Sequence, residues 1–439
     1  MNPDIFRRRR ERLFQKMGEG VALLFAPPPQ SLGWDLHHRY RPDPDLLYVT
    51  GFPEPETVAV LDAERRRLTL FVRPRDRERE TWEGRRAGPE GARSDFGADA
   101  AFPVTELDRR LPDLIRRHAV LHHALGVSER GDRLVADLLA RFRREARNPR
   151  RGPLAMKDPT EILHEMRLVK EPCEIAALSR SAAIAARAHR DAMAVAAPGR
   201  HEYELAAALE RRFVTEGASG PAYPSIVASG ANATVLHYDE NRRRIRPGDL
   251  VLVDAGCAVD GYASDITRTY PASGRFTRPQ RRLYDAVLAA QKAAIAKAVA
   301  GARFGEVHDA AREVLLDALL DLGLLRGRRA ALKKANAAQR FGLHNTSHWL
   351  GLDVHDRGRY HDGSGKPRPL VPGMVLTVEP GLYVRPDEAN VPREYLGLGV
   401  RIEDDVLVTA GEPRVLTDGA PKEPAELRMA VGRRRPPRR

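Results

Sequence analysis

Asp254, Asp265, His348, Glu379 and Glu403 lie in separate segments of the C-terminal half of this 439-residue chain, and each can ligate a metal. Four carboxylates gathered with one imidazole would repel one another and hold protons unless cations neutralised them. Two divalent ions would balance the four negative charges. Hard oxygen donors with a single histidine suit Mn2+, Co2+, Zn2+ or Mg2+ rather than thiolate-seeking metals. Two such ions held close together clamp a hydroxide and polarise a carbonyl, which is hydrolytic chemistry.

The local sequence around each residue says how it could be positioned. Asp254 ends the apolar run Leu250-Val251-Leu252-Val253, bounded by Pro247-Gly248 and Gly256, which reads as a buried strand. Asp260-Gly261 is a turn signal, and Asp265 to Tyr270 alternates and is β-branched, as a returning strand should be. Such a hairpin can set Asp254 beside Asp265. His348 belongs to a stretch with three histidines, His344, His348 and His355. Glu379 ends the apolar run Met374 to Val378 and is followed by the breaker Pro380-Gly381. Glu403 sits between Gly399-Val400-Arg401-Ile402 and Asp404-Asp405-Val406-Leu407-Val408. Acidic residues within strand-like runs are costly unless paired or liganded.

The segments VLVDAGCAVDGYASDITRTY, SHWLGLDVHD, MVLTVEPGLY and GVRIEDDVLVT resemble the metallopeptidases of the pita-bread fold, and among them the Xaa-Pro aminopeptidases, or aminopeptidases P. The N-terminal segments YRPDPDLLYVTGFPEPE and ETWEGRRAG resemble the same family, so the likeness spans most of the chain. The resemblance implies two metals, usually manganese, around a bridging hydroxide. Asp265 and Glu403 would then bridge both ions, Asp254 would hold one, and His348 and Glu379 the other.

Further roles follow from the resemblance alone. His237 and His355 would line the site and stabilise the tetrahedral intermediate. Arg401 would orient the carboxylates, and Glu379 would relay a proton to the leaving amine. Tyr383 and His344 would lie beside the substrate. Asp35 and Trp82, from the N-terminal part, match an aspartate near the substrate amine and a tryptophan lining the pocket. Asn345, where the family usually has glycine, and Thr160, near a position where some relatives have arginine, depart from the pattern. Neither departure removes a ligand.

Composition bounds the remainder. At 439 residues, two domains are expected. A mixed α/β domain over residues 1–155 precedes an α+β catalytic domain over 165–430, with a basic disordered tail at 431–439. Leu47 to Phe52 and Gly20 to Phe25 read as strands, and Thr57 to Leu61 with Leu68 to Val72 as a hairpin. Leu111 to Arg117, Arg133 to Arg144, Pro172 to Ala196, His201 to Glu216, Leu283 to Val299 and Glu306 to Leu322 read as helices, and Arg147 to Pro153 as a linker. Helices flanking a mostly antiparallel sheet make the second domain α+β. The resemblance makes it a pita-bread domain.

Two cysteines, Cys173 and Cys257, cannot build a disulfide framework and point to a reducing, cytoplasmic setting. No apolar run is long enough for a membrane span, and the basic N-terminus lacks the apolar core of a signal peptide. The net charge of +13 and pI near 10.0 raise nucleic-acid binding. The arginine clusters at 7–10, 141–151 and 433–439 come without a binding motif, however, and read as solvated surface. The expected substrates are peptides with proline second, and the expected assembly is a homo-oligomer, dimer or tetramer. The alternatives are a prolidase restricted to Xaa-Pro dipeptides, and an inactive relative that binds nucleic acid or protein. Methionine aminopeptidase usually lacks such an N-terminal half, and creatine amidinohydrolase lacks the metals.

Overall fold

A computed structural model describes residues 3–34, 36–145 and 152–433. It divides into two units, Met1–Arg167 and Leu168–Arg439.

The first unit is built on a six-stranded mixed sheet. Its strands run in the order Ala100–Pro103, Arg67–Val72, Val58–Asp62, Val21–Phe25, Val120–His122, Ala155–Lys157. The expected hairpin is present, with Val58 opposite Phe71 and Asp62 opposite Arg67. Helix Glu129–Arg144 covers the sheet through Val135, Leu138 and Phe142. The unit runs beyond residue 155. The Ala155–Lys157 strand pairs in parallel with Val120–His122. The Tyr48 hydroxyl donates to the Met166 carbonyl at 3.1 Å, and Arg167 pairs with Asp45 at 2.8 Å.

Leu47 to Phe52 is not a strand, because helix Pro44–Thr50 occupies most of it. Asp43 caps the first turn, accepting from Leu46 N at 2.8 Å, and Pro44 starts the helix. Gly51, at φ 67°, then ends it in the left-handed conformation. Capping chemistry thus outweighs the β-branched and aromatic composition. Nor is the Arg7–Arg10 cluster all surface. Arg9 and Arg10 are buried, donating to the carbonyls of Tyr48 at 3.2 Å and Val49 at 3.1 Å. Two guanidinium groups satisfy the last turn of that helix, where carbonyls lack partners and the dipole favours cations. Most of the expected linker, and the tail from residue 434, lie outside the described residues.

In the second unit every strand pairing is antiparallel. Leu250–Asp254 lies between Ile226–Ser229 and Thr267–Pro271. Val375–Val378 pairs with Asp404–Leu407, and Gly381–Val384 with Leu398–Arg401. Helices Pro172–Val195, Glu202–Thr215, Arg278–Ile295 and Phe304–Asp321 pack around these strands. The stripe Leu283, Val287, Ala290, Ala294 is wholly buried, as its spacing predicts. In the next helix Val307 and Ala311 are buried, but the stripe continues through Leu315 and Leu319, leaving Val314 and Ala318 half-buried. The unit is α+β. Among the described residues no helix is long and apolar enough to cross a membrane.

Candidate active site

The hairpin that carries the aspartates is more compact than its sequence suggests. Asp254 closes its strand opposite Thr267, so the returning strand begins two residues after Asp265. Between them, Ala258–Val259 and Tyr262–Ala263 form a small ladder around Asp260 and Gly261, at φ 51° and 87°. Gly256 permits the arms to close: a Cβ there would lie 1.7 Å from the Ser264 carbonyl oxygen. Asp254 and Asp265 are thereby set against one hydroxyl. Tyr223 Oη lies 2.7 Å from Asp254 Oδ1 and also contacts Asp265 Oδ1.

The other three donors arrive on crossing strands. Thr377 N donates to the His348 carbonyl at 2.9 Å, and Glu379 N to the Thr346 carbonyl at 2.8 Å, so His348 and Glu379 project side by side. His348 Nδ1 lies 3.0 Å from the Trp349 carbonyl, which fixes the proton on Nδ1 and leaves the Nε2 lone pair for a ligand. Nε2 is 3.5 Å from Asp265 Oδ2 and 3.6 Å from Glu379 Oε1. Glu403 occupies the break between strands Leu398–Arg401 and Asp404–Leu407. Its N–H donates to the Thr267 carbonyl at 3.0 Å, and Thr267 Oγ1 donates to Glu403 Oε2 at 2.6 Å. Donor atoms of Asp265, His348 and Glu403 all lie within 4.8 Å of one another. All five predicted ligands line one cavity of ≈ 880 Å³.

The electrostatics of this cluster are those of a cation site. Burial raises Glu403 well above the usual carboxylate range, and the charges of Asp265, Glu379 and Asp254 raise it further. Burial likewise brings Glu379 to about 7. Burial alone would lower His348, but the Asp265 hydrogen bond and the Glu379 charge lift it to about 9. The Tyr223 hydroxyl has one proton for two carboxylates. The donor set therefore fits divalent cations: without them it must hold protons to stay folded.

Arg401 is buried against the candidate ligands. It donates to Asp254 Oδ2 from Nη2 at 2.5 Å, to Tyr383 Oη from Nη1 at 2.9 Å, and to Thr267 Oγ1 from Nε at 3.1 Å. His344 Nε2 lies 2.8 Å from the same Tyr383 hydroxyl, and its Nδ1 lies 2.7 Å from the Asn345 carbonyl. Burial, with the Arg401 charge, lowers His344 to about 4, so it is neutral. His237, His344, Asn345 and His355 all line the cavity. The His355 ring stands edge-on to His348, with centroids 4.4 Å apart.

Sequence reasoning missed three neighbours. Tyr223 sits in Pro221-Ala222-Tyr223-Pro224, which carries no pattern that marks a site. Thr267 carries only the signal of a strand residue. Asp405 is buried and its Oδ2 accepts from Asp265 N at 3.1 Å; the signal was a doubled acid inside an apolar strand. Of the residues expected from the N-terminal part, Asp35 lies outside the described residues. Trp82 is on helix Arg77–Glu83 of the first unit and is 84% exposed, so it is not a core tryptophan. Thr160 starts helix Thr160–Leu168, its N–H bonded to Asp158 Oδ1 at 2.8 Å.

A buried carboxylate–imidazole cluster lining a large cavity on this α+β scaffold defines a metal-dependent hydrolase. Residues 176–410 match metallopeptidase family M24, to which the chain belongs, and residues 6–122 match the aminopeptidase P N-terminal domain. The chain is 43% identical over 426 residues to the Xaa-Pro aminopeptidase of Escherichia coli strain K12, covering 96% of each. It is 33% identical to human Xaa-Pro aminopeptidase 3, over 94% of this chain and 82% of that one. The structure of Pseudomonas aeruginosa aminopeptidase PepP superimposes with a TM-score of 0.96 at 44% identity, covering 98% of both chains. A zinc-substituted E. coli aminopeptidase P in complex with product gives 0.95 at 42%, again covering 98% of both. The two-domain organisation, with a pita-bread catalytic domain second, agrees with these matches.

Proposed function

We propose that this chain removes the N-terminal residue from peptides whose second residue is proline, using two divalent ions, Mn2+ first and Co2+, Zn2+ or Mg2+ as alternatives. The observation that carries the reading is the convergence of Asp254, Asp265, His348, Glu379 and Glu403 on one cavity. Such ions supply, when bound, an activated water and polarisation of the scissile carbonyl. By the family resemblance Asp265 and Glu403 would bridge the two ions, and the approach of both to His348 within 4.8 Å supports this. Asp254 suits one ion, and His348 with Glu379 the other.

The chain's own residues do the rest. His237 and His355 stand on the cavity wall, where imidazole N–H groups can donate to the oxygen that gains charge in the transition state. Glu379, on the cavity wall, would take a proton and pass it to the departing proline nitrogen. Arg401 fixes the orientation of Asp254 directly and of Glu403 through Thr267. His344 and Tyr383 form a hydrogen-bonded pair against Arg401 that shapes the substrate side. Asp35 would meet the substrate amine, and Trp82 would line the pocket. The bond to proline is a tertiary amide without an N–H, so recognition has to come from the ring and its fixed φ.

Identity of 43% over nearly the whole length of an Xaa-Pro aminopeptidase supports the proline-second specificity. The two thiols, Cys173 and Cys257, are compatible with a reducing cytoplasm, and we place the enzyme there as a homo-oligomer, dimer or tetramer. Hydrolysis of Gly-Pro-Ala, Gly-Pro and Gly-Ala-Ala by the metal-loaded protein tests the reading. Gly-Pro-Ala should be cleaved at least as well as Gly-Pro, and Gly-Ala-Ala poorly. Cleavage of dipeptides alone would make the enzyme a prolidase, and equal rates on the two tripeptides a general aminopeptidase.

A further inference from the structure

We propose that Glu202, which lies outside the metal cluster, is the residue that positions His237 for catalysis; the inference rests on the role given to His237 above. Glu202 is the first residue of helix Glu202–Thr215 and is fully buried, at 0% exposure. An acid in a helix's first turn usually serves that helix's own dipole. Here the carboxylate serves a loop instead. Oε1 accepts from Ser229 N at 2.7 Å, Ser229 Oγ at 2.7 Å and Asn232 Nδ2 at 3.2 Å. Oε2 accepts from Tyr238 Oη at 2.8 Å and from Arg243 N at 2.8 Å.

These donors fall at the start, middle and end of the segment 229–243, which carries His237 on the cavity wall. The segment leaves the Ile226–Ser229 strand, makes one 3-10 turn over Gly230–Thr234, and then runs without helix or ladder to Arg243. Ala233 is buried beside Leu252 and Tyr383, with Leu236 and Tyr238 packed against that cluster, and further bonds join the ends of the segment. Asn241 bonds back to Val227 N at 2.7 Å and to the Ser225 carbonyl at 2.7 Å, and Arg243 closes onto Ser229 Oγ at 2.6 Å and Asp249 at 2.6 Å. Tyr238, the immediate neighbour of His237, has its hydroxyl on Glu202. A buried carboxylate with five donors ties these points of the loop together, and its charge makes each bond stronger than a neutral one. Glu202 therefore sets where the His237 ring stands. A misplacement of ~1 Å at such a group costs up to about 10²-fold in rate.

The test uses the full-length, metal-loaded enzyme on Gly-Pro-Ala. Glu202→Gln puts an amide donor among donors, and Tyr238→Phe deletes a single bond without unfolding the loop. Glu202→Gln should lower kcat by about tenfold and Tyr238→Phe by roughly threefold, with KM and metal content within about twofold of the parent. In a His237→Ala background neither change should lower kcat further, because residues acting through one group are non-additive. A merely structural Glu202 would give additive losses with metal release, and that result overturns the proposal, as does full activity in both single variants. A His237→Ala enzyme of normal rate would remove the catalytic role of His237, and the positioning role with it. A slow His237→Ala enzyme with additive Glu202→Gln losses would remove the positioning role alone.

Discussion

Arg401 and Asp254 are 147 positions apart in sequence and meet as a buried ion pair, Nη2 to Oδ2 at 2.5 Å. The same guanidinium donates to Thr267 Oγ1, whose proton goes to Glu403, so one arginine bears on two of the candidate metal donors. Lysine cannot reproduce that fork. Arg401→Lys should therefore weaken metal binding by about 10–100-fold, as loss of a group that orients ligands does. Titration of metal into the stripped variant checks this, and parental affinity would contradict the role.

Asp265 contacts both sides of the cluster, His348 Nε2 at 3.5 Å and the Tyr223 hydroxyl that also touches Asp254. Asp265→Asn keeps the shape and removes one negative charge from the centre. Metal content of the purified variant should fall for both ions together. Two ions retained with near-normal turnover would show that Asp265 does not bridge.

His355 lines the cavity with its ring edge-on to that of His348, whose Nδ1 is already bonded to the Trp349 carbonyl. His355→Ala should keep its metal and lose about 10²-fold or more in kcat, the usual effect of deleting a transition-state donor. Loss of metal in this variant would make His355 a ligand or a prop.

His189 is buried under the metal hairpin with Nε2 3.0 Å from the Ala255 carbonyl, and burial lowers it to about 4. The unfolded chain gains a proton on this residue as pH falls through its ordinary 6.5, whereas the folded protein does not until about pH 4. Folding stability should therefore decline from pH 6.5 to about 4 and level off below, a loss of about 3 kcal/mol from this group. His189→Gln keeps a donor for Ala255 and removes the titration. Urea unfolding at pH 7 and pH 4.5 should show a smaller acid loss in the variant; equal losses would contradict the assignment.

The candidate donors Asp254, Glu379 and Glu403 were legible because each ends or interrupts an apolar strand, where an acid is costly without a purpose. The strand at Leu250–Asp254 and the long amphipathic helices were legible for the same reason, since burial leaves a periodic trace. Helix Pro44–Thr50 was misread because its β-branched and aromatic residues mimic a strand, while Asp43, Pro44 and Gly51 decide it locally. Arg9 and Arg10 were misread because charge alone does not reveal two unsatisfied helix carbonyls nearly 40 residues away; the separation is 39. Tyr223 and Glu202 left no signal at all. Their partners converge only in three dimensions, from segments that look like ordinary loop and helix.

The central claim is that these five donors hold the metal that runs the hydrolysis. Chelator-stripped protein, reloaded with measured amounts of Mn2+, tests it most directly when bound metal and Gly-Pro-Ala cleavage are followed in one titration. Activity should be absent in the stripped protein, rise with bound Mn2+ to saturation at two ions per chain, and be accompanied by a higher melting temperature, because a ligand that binds only the folded state stabilises it. Full cleavage by stripped protein, or saturation of binding with no cleavage of Gly-Pro-Ala, would contradict the account.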